Sequence, residues 1–101
     1  MYNLFKQVAF RLDPEFIHEL SINCFGVFPR VLAQIFDGTQ TNPAHEIHFS
    51  GLKWSFPIGL AAGLDKNAAA IAFFSRLHFG AIEVGTVTPK AQEGNPKPRL
   101  F

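Results

Sequence analysis

Apolar residues recur at helical spacing through the first third of the chain, in three consecutive short segments. This spacing predicts helices over about residues 3–12, 13–24 and 29–36. The second helix is expected to begin at Asp13, because an Asp caps a helix well and the proline and glutamate that follow it suit the first turn. Gly26 is the expected end of that helix.

A polar linker follows, and the pattern then changes. Residues 47–49 and 53–56 flank a Ser-Gly turn and predict a hairpin of two strands. Two apolar runs, residues 58–63 and 81–87, are typical of strands buried on both faces, and residues 67–79 between them have helical spacing. A strand, a helix and a strand in this order form a βαβ unit, which is the start of a parallel α/β fold.

The pattern therefore divides the chain into a helical domain, residues 1–38, and the beginning of an α/β domain, residues 39–101. A parallel sheet needs more than two strands, and a complete α/β barrel takes about 250 residues. We expect the native protein to continue beyond Phe101.

The composition is globular, with an unusual share of phenylalanine. Hydrophobic residues make up 48% of the chain, charged residues 17%, and the net charge is +1, with no basic run of the kind that binds nucleic acid. Twelve Phe residues stand against one Trp and one Tyr, and many lie near the N-terminus. The leading helices are either ordinary core or an apolar element that lies on a membrane surface, and composition leaves both interpretations open.

Several classes of site are excluded or disfavoured. Cys24 is the only cysteine, which excludes an internal disulfide and a cysteine-built metal site. His45 and His48 are three residues apart and do not match a zinc-binding helix, so we interpret them as surface histidines. No signal peptide is recognisable, and no apolar run approaches the roughly 18 residues that span a bilayer. Any membrane contact is expected to be peripheral.

The segment most suggestive of chemistry is residues 59–67, where a predicted strand turns into a helix. Ligands of parallel α/β folds bind at such strand ends. Small residues there would let a flat ring lie against the backbone, and the positive charge of Lys66 would stabilise a reduced flavin. The alternative is a tightly packed turn followed by a solvated lysine.

The end of the second predicted strand offers a similar contact. Gly85 and Thr86 would reach the same rim, although a glycine that eases the strand end is the simpler interpretation. Glu83 lies inside the apolar run and is expected to be a buried structural partner. His18, on the second helix, is interpreted from the residues alone as a satisfied or half-exposed histidine.

Read together, these motifs resemble one family, the class 2 dihydroorotate dehydrogenases. The resemblance runs through the whole chain and rests on four segments: Leu12-Asp13-Pro14-Glu15 with His18, Phe56 to Lys66, Phe79-Gly80 with Glu83 to Lys90, and Gly94 to Arg99.

The resemblance implies a (β/α)₈ barrel that binds FMN, preceded by a small helical domain. It implies oxidation of dihydroorotate to orotate in pyrimidine synthesis, with a membrane quinone as electron acceptor. By position, Ala62, Gly63, Lys66 and Thr86 would contact FMN, and Lys66 would also bind the substrate. His18 and Arg99 would line the quinone tunnel between the leading helices.

The family's catalytic base is a serine that lies beyond Phe101. We therefore expect the isolated chain to be inactive, prone to aggregation and unable to bind FMN, because most of the barrel strands are missing. The full protein is expected on the cytoplasmic side of a bacterial inner membrane, as a peripheral protein. Two alternatives are a truncated, non-catalytic module that binds lipid surfaces and a different FMN-dependent barrel oxidoreductase, although the soluble class 1 relatives lack the leading helices.

Overall fold

The computed structural model describes residues 6–7, 10–36 and 43–99. The first predicted helix, residues 3–12, lies mostly outside these ranges. Within them, Lys6 and Gln7 are helical, and the N–H of Phe10 donates to the carbonyl of Lys6 at 3.0 Å.

Helix α1, Pro14–Val27, begins as predicted. The Asp13 carboxylate accepts a hydrogen bond from the N–H of Phe16 at 2.9 Å, and a proline occupies the first helical turn. This bond satisfies one of the N–H groups that the start of a helix leaves without a partner. Helix α2, Pro29–Phe36, follows after a single residue.

The predicted end of α1 at about Cys24 is wrong, because the helix continues through Gly26 to Val27. Gly26 has a packing role. A Cβ atom at this position would lie 2.6 Å from the carbonyl oxygen of Ala69, closer than real contacts allow. The glycine therefore lets α1 approach the backbone of the later half of the chain.

The predicted hairpin is confirmed, with slightly different bounds. A 3₁₀ turn, Pro43–His45, leads into strands β1, Ile47–Phe49, and β2, Leu52–Trp54, which pair antiparallel. At the base of the hairpin, Lys53 Nζ lies 2.8 Å from a carboxylate oxygen of Glu46. The hydrogen bond from Lys53 lowers the pKa of the Glu46 carboxyl.

The predicted order of strand, helix and strand is also confirmed, but both strands are shorter than the predicted runs, residues 58–63 and 81–87. Strands β3, Gly59–Leu60, and β4, Ala81–Ile82, pair in parallel, with helix α3, Ile71–Phe74, between them in sequence. The predicted helix 67–79 is much too long. Ala68 and His78 both have positive φ, at 58° and 59°, and interrupt it on either side.

Two expectations about burial are wrong in the described structure. Gly59 is exposed, and Leu60, Ala81 and Ile82 are only half-buried, although both strands were expected to be covered on both faces. Such burial requires further strands and helices, and among the described residues β3 and β4 form a two-stranded sheet. Glu83 is exposed for the same reason, and its backbone N–H donates to the carbonyl of Leu60.

The core lies between the three helices. Its buried members are Ala33 from α2, Ala70 before α3, and Phe73 and Phe74 from α3. The ring of Phe25, from α1, stacks on Phe73 with centroids 4.1 Å apart and planes inclined by 6°. The helical segment and the βαβ unit therefore share one aromatic core. The division at residue 38 stays a prediction.

Much of the remaining apolar surface of α1 and α2 is exposed. The large exposed side chains on and between these helices are Phe16, Leu20, Val27, Phe28, Val31, Ile35 and Phe36. Within the described ranges, no helix is both long and apolar enough to cross a membrane.

In the complete gene product, replacing Phe73 with Ala is expected to lower the free energy of unfolding by about 3 kcal/mol. The change removes a buried ring and leaves a cavity among the helices. Urea denaturation followed by circular dichroism measures the change. The matched control is Ile71→Ala in the same helix, where the side chain is 44% exposed. Equal losses for the two variants would contradict the assignment of the core.

Candidate functional site

A cavity of about 650 Å³ lies between α1, the turn that follows β3 and the C-terminal segment. Its wall includes four of the six residues that the sequence predicted as ligand contacts, namely His18, Gly63, Lys66 and Arg99. The other residues of the wall are Glu15, Glu19, Ile22, Asn23, Leu64, Asp65, Asn67, Ala69, Gly94 and Asn95.

The other two predicted contacts lie outside this wall. Ala62 and Thr86 are both exposed, Ala62 next to Gly63 and Thr86 in the segment after β4. The space beside Gly63 is empty, since a Cβ atom built on this residue would have no heavy atom within 4 Å. The backbone at Gly63 is therefore open to approach, and contact with a flat ligand there stays a prediction.

Asp65 holds the turn that carries Lys66. Its carboxylate is 3% exposed and accepts hydrogen bonds from the N–H of Ala69 at 2.8 Å and of Ala70 at 2.7 Å. These are charge-assisted bonds to backbone groups that precede α3, and they close a rigid loop over residues 65–70. Sequence reasoning gave Asp65 no role, although an Asp just before a helical segment is a recognised capping signal.

Lys66 is exposed at the cavity and forms no salt bridge with any described residue. Its ammonium group is consequently available to a ligand, while the preceding Asp65 carboxylate is fully engaged by backbone donors. The charge of Lys66, which has no salt bridge to any described residue, therefore lies in the turn after β3.

The opposite wall contains an ion pair of which only the carboxylate is buried. Glu15 is 7% exposed, and its Oε1 accepts a hydrogen bond from Arg99 Nε at 2.8 Å. Its other carboxylate oxygen lies 3.5 Å from Lys97 Nζ. Sequence reasoning interpreted Glu15 only as a helix-start residue, and no local pattern could have identified a partner 84 positions away.

His18 follows Glu15 by one helical turn and is half-buried at the cavity. The other histidines lie elsewhere. His45 and His48 are exposed, as predicted, with His45 packed edge-on against Phe56 and His48 Nε2 3.3 Å from Glu46. In the part of the chain that the structure describes, no group of three or more His, Cys, Asp or Glu residues could hold a metal ion.

Asp65→Ala is expected to destabilise the protein by about 2–3 kcal/mol, since two N–H groups near α3 lose a charged acceptor and one of them is buried. Urea denaturation measures the loss. Asp13→Ala is the control, because it also removes a helix-start carboxylate but leaves an exposed hydrogen bond unmade. Its cost should be about 1 kcal/mol. A smaller effect at Asp65 than at Asp13 would contradict the role assigned to the buried carboxylate.

Curated relatives match the chain along its full length. A protein named dihydroorotate dehydrogenase (quinone) from Pseudomonas syringae pv. syringae is 49% identical over 102 residues, which cover 100% of this chain and 29% of the relative. A protein of the same name from Idiomarina loihiensis is 50% identical over 101 residues, covering 100% of this chain and 30% of the relative. The chain thus spans under a third of the length of these relatives.

Solved structures agree with this similarity. A crystal structure of DHODH from Eimeria tenella in complex with ferulenol has a TM-score of 0.70 and 41% sequence identity, over 88% of this chain and 23% of that one. The ligand-free form of that protein has a TM-score of 0.69 and the same identity. The family model described as dihydroorotate dehydrogenase matches residues 45–101. Because this match covers more than half of the sequence, the chain belongs to the dihydroorotate dehydrogenase family.

Proposed function

We propose that the protein carrying this chain oxidises dihydroorotate to orotate in pyrimidine biosynthesis and passes the electrons to a membrane quinone. The observation that supports this most directly is the cavity. It has Gly63 and Lys66 from the end of a parallel strand on one side and His18 and Arg99 on the other. A flavin and a quinone that exchange electrons have to bind close together. In this proposal one side of the cavity binds the flavin and the other side binds the quinone.

The cofactor in this proposal is FMN, bound at the carboxyl ends of the strands of a (β/α)₈ barrel that begins with β3 and β4. When bound, FMN would supply the redox chemistry that links the substrate to the quinone. The residues of this chain fit FMN, because the space beside Gly63 is open and Lys66 has no ion partner among the described residues. Ala62 and Thr86 would complete the contacts from neighbouring strand ends.

Lys66 has two tasks in this mechanism. Its ammonium group would bind the carboxylate of dihydroorotate, and its positive charge would favour electron uptake by a flavin bound beside it. The Asp65 carboxylate keeps the turn of Lys66 in place through its two backbone hydrogen bonds. The resemblance to the family implies that the base that removes the substrate's proton is a serine beyond Phe101.

The quinone is proposed to enter beside α1, the leading helix that lines the cavity. His18 and Arg99 supply polar groups there for its carbonyl oxygens, beside the apolar side chain of Ile22. The exposed apolar side chains of α1 and α2 form a surface that suits the interfacial region of a bilayer. Such a surface suits a peripheral membrane protein, and we propose the cytoplasmic side of a bacterial inner membrane as its location.

The same apolar surface favours a second candidate function, a non-catalytic module that only binds lipid surfaces. The enzyme needs Lys66, and the lipid-binding module does not. Lys66 lies at the cavity, and it is far in sequence from the exposed apolar side chains of α1 and α2. Dihydroorotate-dependent quinone reduction by the purified gene product supports the enzyme, whereas vesicle binding without that activity supports the module.

Lys66→Ala in the complete gene product is expected to lower kcat for dihydroorotate oxidation by about 100-fold, because it removes a preorganised charge from the reacting centre. Steady-state assays with a short-chain ubiquinone analogue, together with flavin absorbance, measure the loss. Lys90→Ala is the control, since Lys90 is exposed and lies outside the cavity wall. Activity of the Lys66 variant equal to that of the Lys90 variant would refute the assigned role.

A further inference from the structure

The position of Arg99 depends on contacts made by its own side chain. It lies at the end of a segment, residues 83–99, in which the structure has neither helix nor strand. Backbone pairing therefore cannot fix the guanidinium at the cavity. Only tertiary contacts of the side chain and of its close neighbours can do so.

Those contacts engage two of the three guanidinium nitrogens. Nε donates to Glu15 Oε1 at 2.8 Å, and Nη1 donates to the carbonyl oxygens of Glu93 at 2.9 Å and Asn95 at 3.2 Å. A guanidinium has five N–H donors in a fixed fork. Among the described residues, Nη2 has no hydrogen-bond partner, and its two donors are unpaired there.

The loop is shaped around this side chain. Gly94 has a φ of +78°, and a Cβ atom built on it would lie 2.7 Å from Arg99 Nη1. The two carbonyls hold Nη1 from within the same loop, so they cannot set where the loop sits relative to α1. Contacts with α1 do this: Glu15 accepts a hydrogen bond from Arg99, and Lys97 of the same loop lies 3.5 Å from Glu15 and 3.8 Å from Glu19.

Glu15 is suited to such a role by its burial. Glu15 is 7% exposed, so the cost of removing its negative charge from water has to be offset by nearby cations. Each of its carboxylate oxygens has a cation from the loop, Arg99 at 2.8 Å and Lys97 at 3.5 Å. The neighbouring Glu19 differs, since its side chain is 64% exposed and lies 3.8 Å from Lys97 only.

We propose that Glu15 is a positioning residue for quinone reduction, which holds the Arg99 guanidinium against α1 so that Nη2 faces the quinone carbonyl. The inference rests on the proposed function, because it assumes that Arg99 binds the quinone. In this proposal Glu15 acts through Arg99, which contacts the quinone. Its effect should therefore appear in the quinone half-reaction alone.

The test uses Glu15→Ala and Glu15→Gln in the complete gene product. The Ala variant is expected to raise KM for a short-chain ubiquinone analogue by about tenfold, since truncating one partner of a buried charge pair releases the other. Gln keeps an acceptor for Arg99 Nε, so its effect should be smaller. The rate of flavin reduction by dihydroorotate, measured by stopped flow without quinone, should not change in either variant.

A double-mutant cycle separates positioning from a general structural role. If Glu15 acts through Arg99, Glu15→Ala combined with Arg99→Ala should have the same KM for the quinone as Arg99→Ala alone. Glu93→Gln serves as the charge control, because it removes an exposed carboxylate of the same loop and keeps the backbone carbonyl that Arg99 contacts.

A parallel fall of both half-reactions in Glu15→Gln would overturn the proposal, as would a double variant clearly worse than Arg99→Ala. Failure of both Glu15 variants to fold would also overturn it, in favour of a purely structural ion pair. A wild-type protein with no dihydroorotate-dependent quinone reduction would remove the proposed function and this inference together. An active wild type with a normal quinone KM in Glu15→Ala would remove the inference alone.

Discussion

The stacked rings of Phe25 and Phe73 hold helix α1 against helix α3, with centroids 4.1 Å apart. The cavity depends on this contact, because α1 carries Glu15 and His18 while the turn before α3 carries Lys66. Gly26 permits the same approach, since a larger residue there would collide with the carbonyl of Ala69. An apolar contact that takes no part in ligand binding therefore sets the distance between the two walls of the site.

Two buried carboxylates organise the polar side of the cavity in different ways. Asp65 accepts two backbone hydrogen bonds within its own turn, so its effect is local and holds the loop of Lys66. Glu15 accepts from Arg99, so its effect is to join a helix to a distant loop. In both cases the cost of burying a carboxylate is offset by N–H donors, and neither carboxylate needs a ligand for its own satisfaction.

Local features were predictable from the sequence where short-range hydrogen bonding decides the structure. The Asp13 cap, the hairpin and the βαβ order were all recognised. The length of α3 was not, because positive φ at Ala68 and His78 leaves no trace in the apolar pattern. The predicted burial of the strands and of Glu83 was also wrong, because it required neighbouring strands that the described residues do not contain.

The sequence by itself determined the candidate contacts: the small residues and Lys66 after one predicted strand and, through the resemblance to the family, His18 and Arg99. Tertiary structure alone decided that His18, Gly63, Lys66 and Arg99 share one cavity and that Ala62 and Thr86 lie outside its wall. It also decided that Glu15, at the start of a helix, pairs with Arg99. Patterns along a chain report interactions between near neighbours, whereas the partners of this pair are 84 positions apart and meet only when the aromatic core has brought the two segments together.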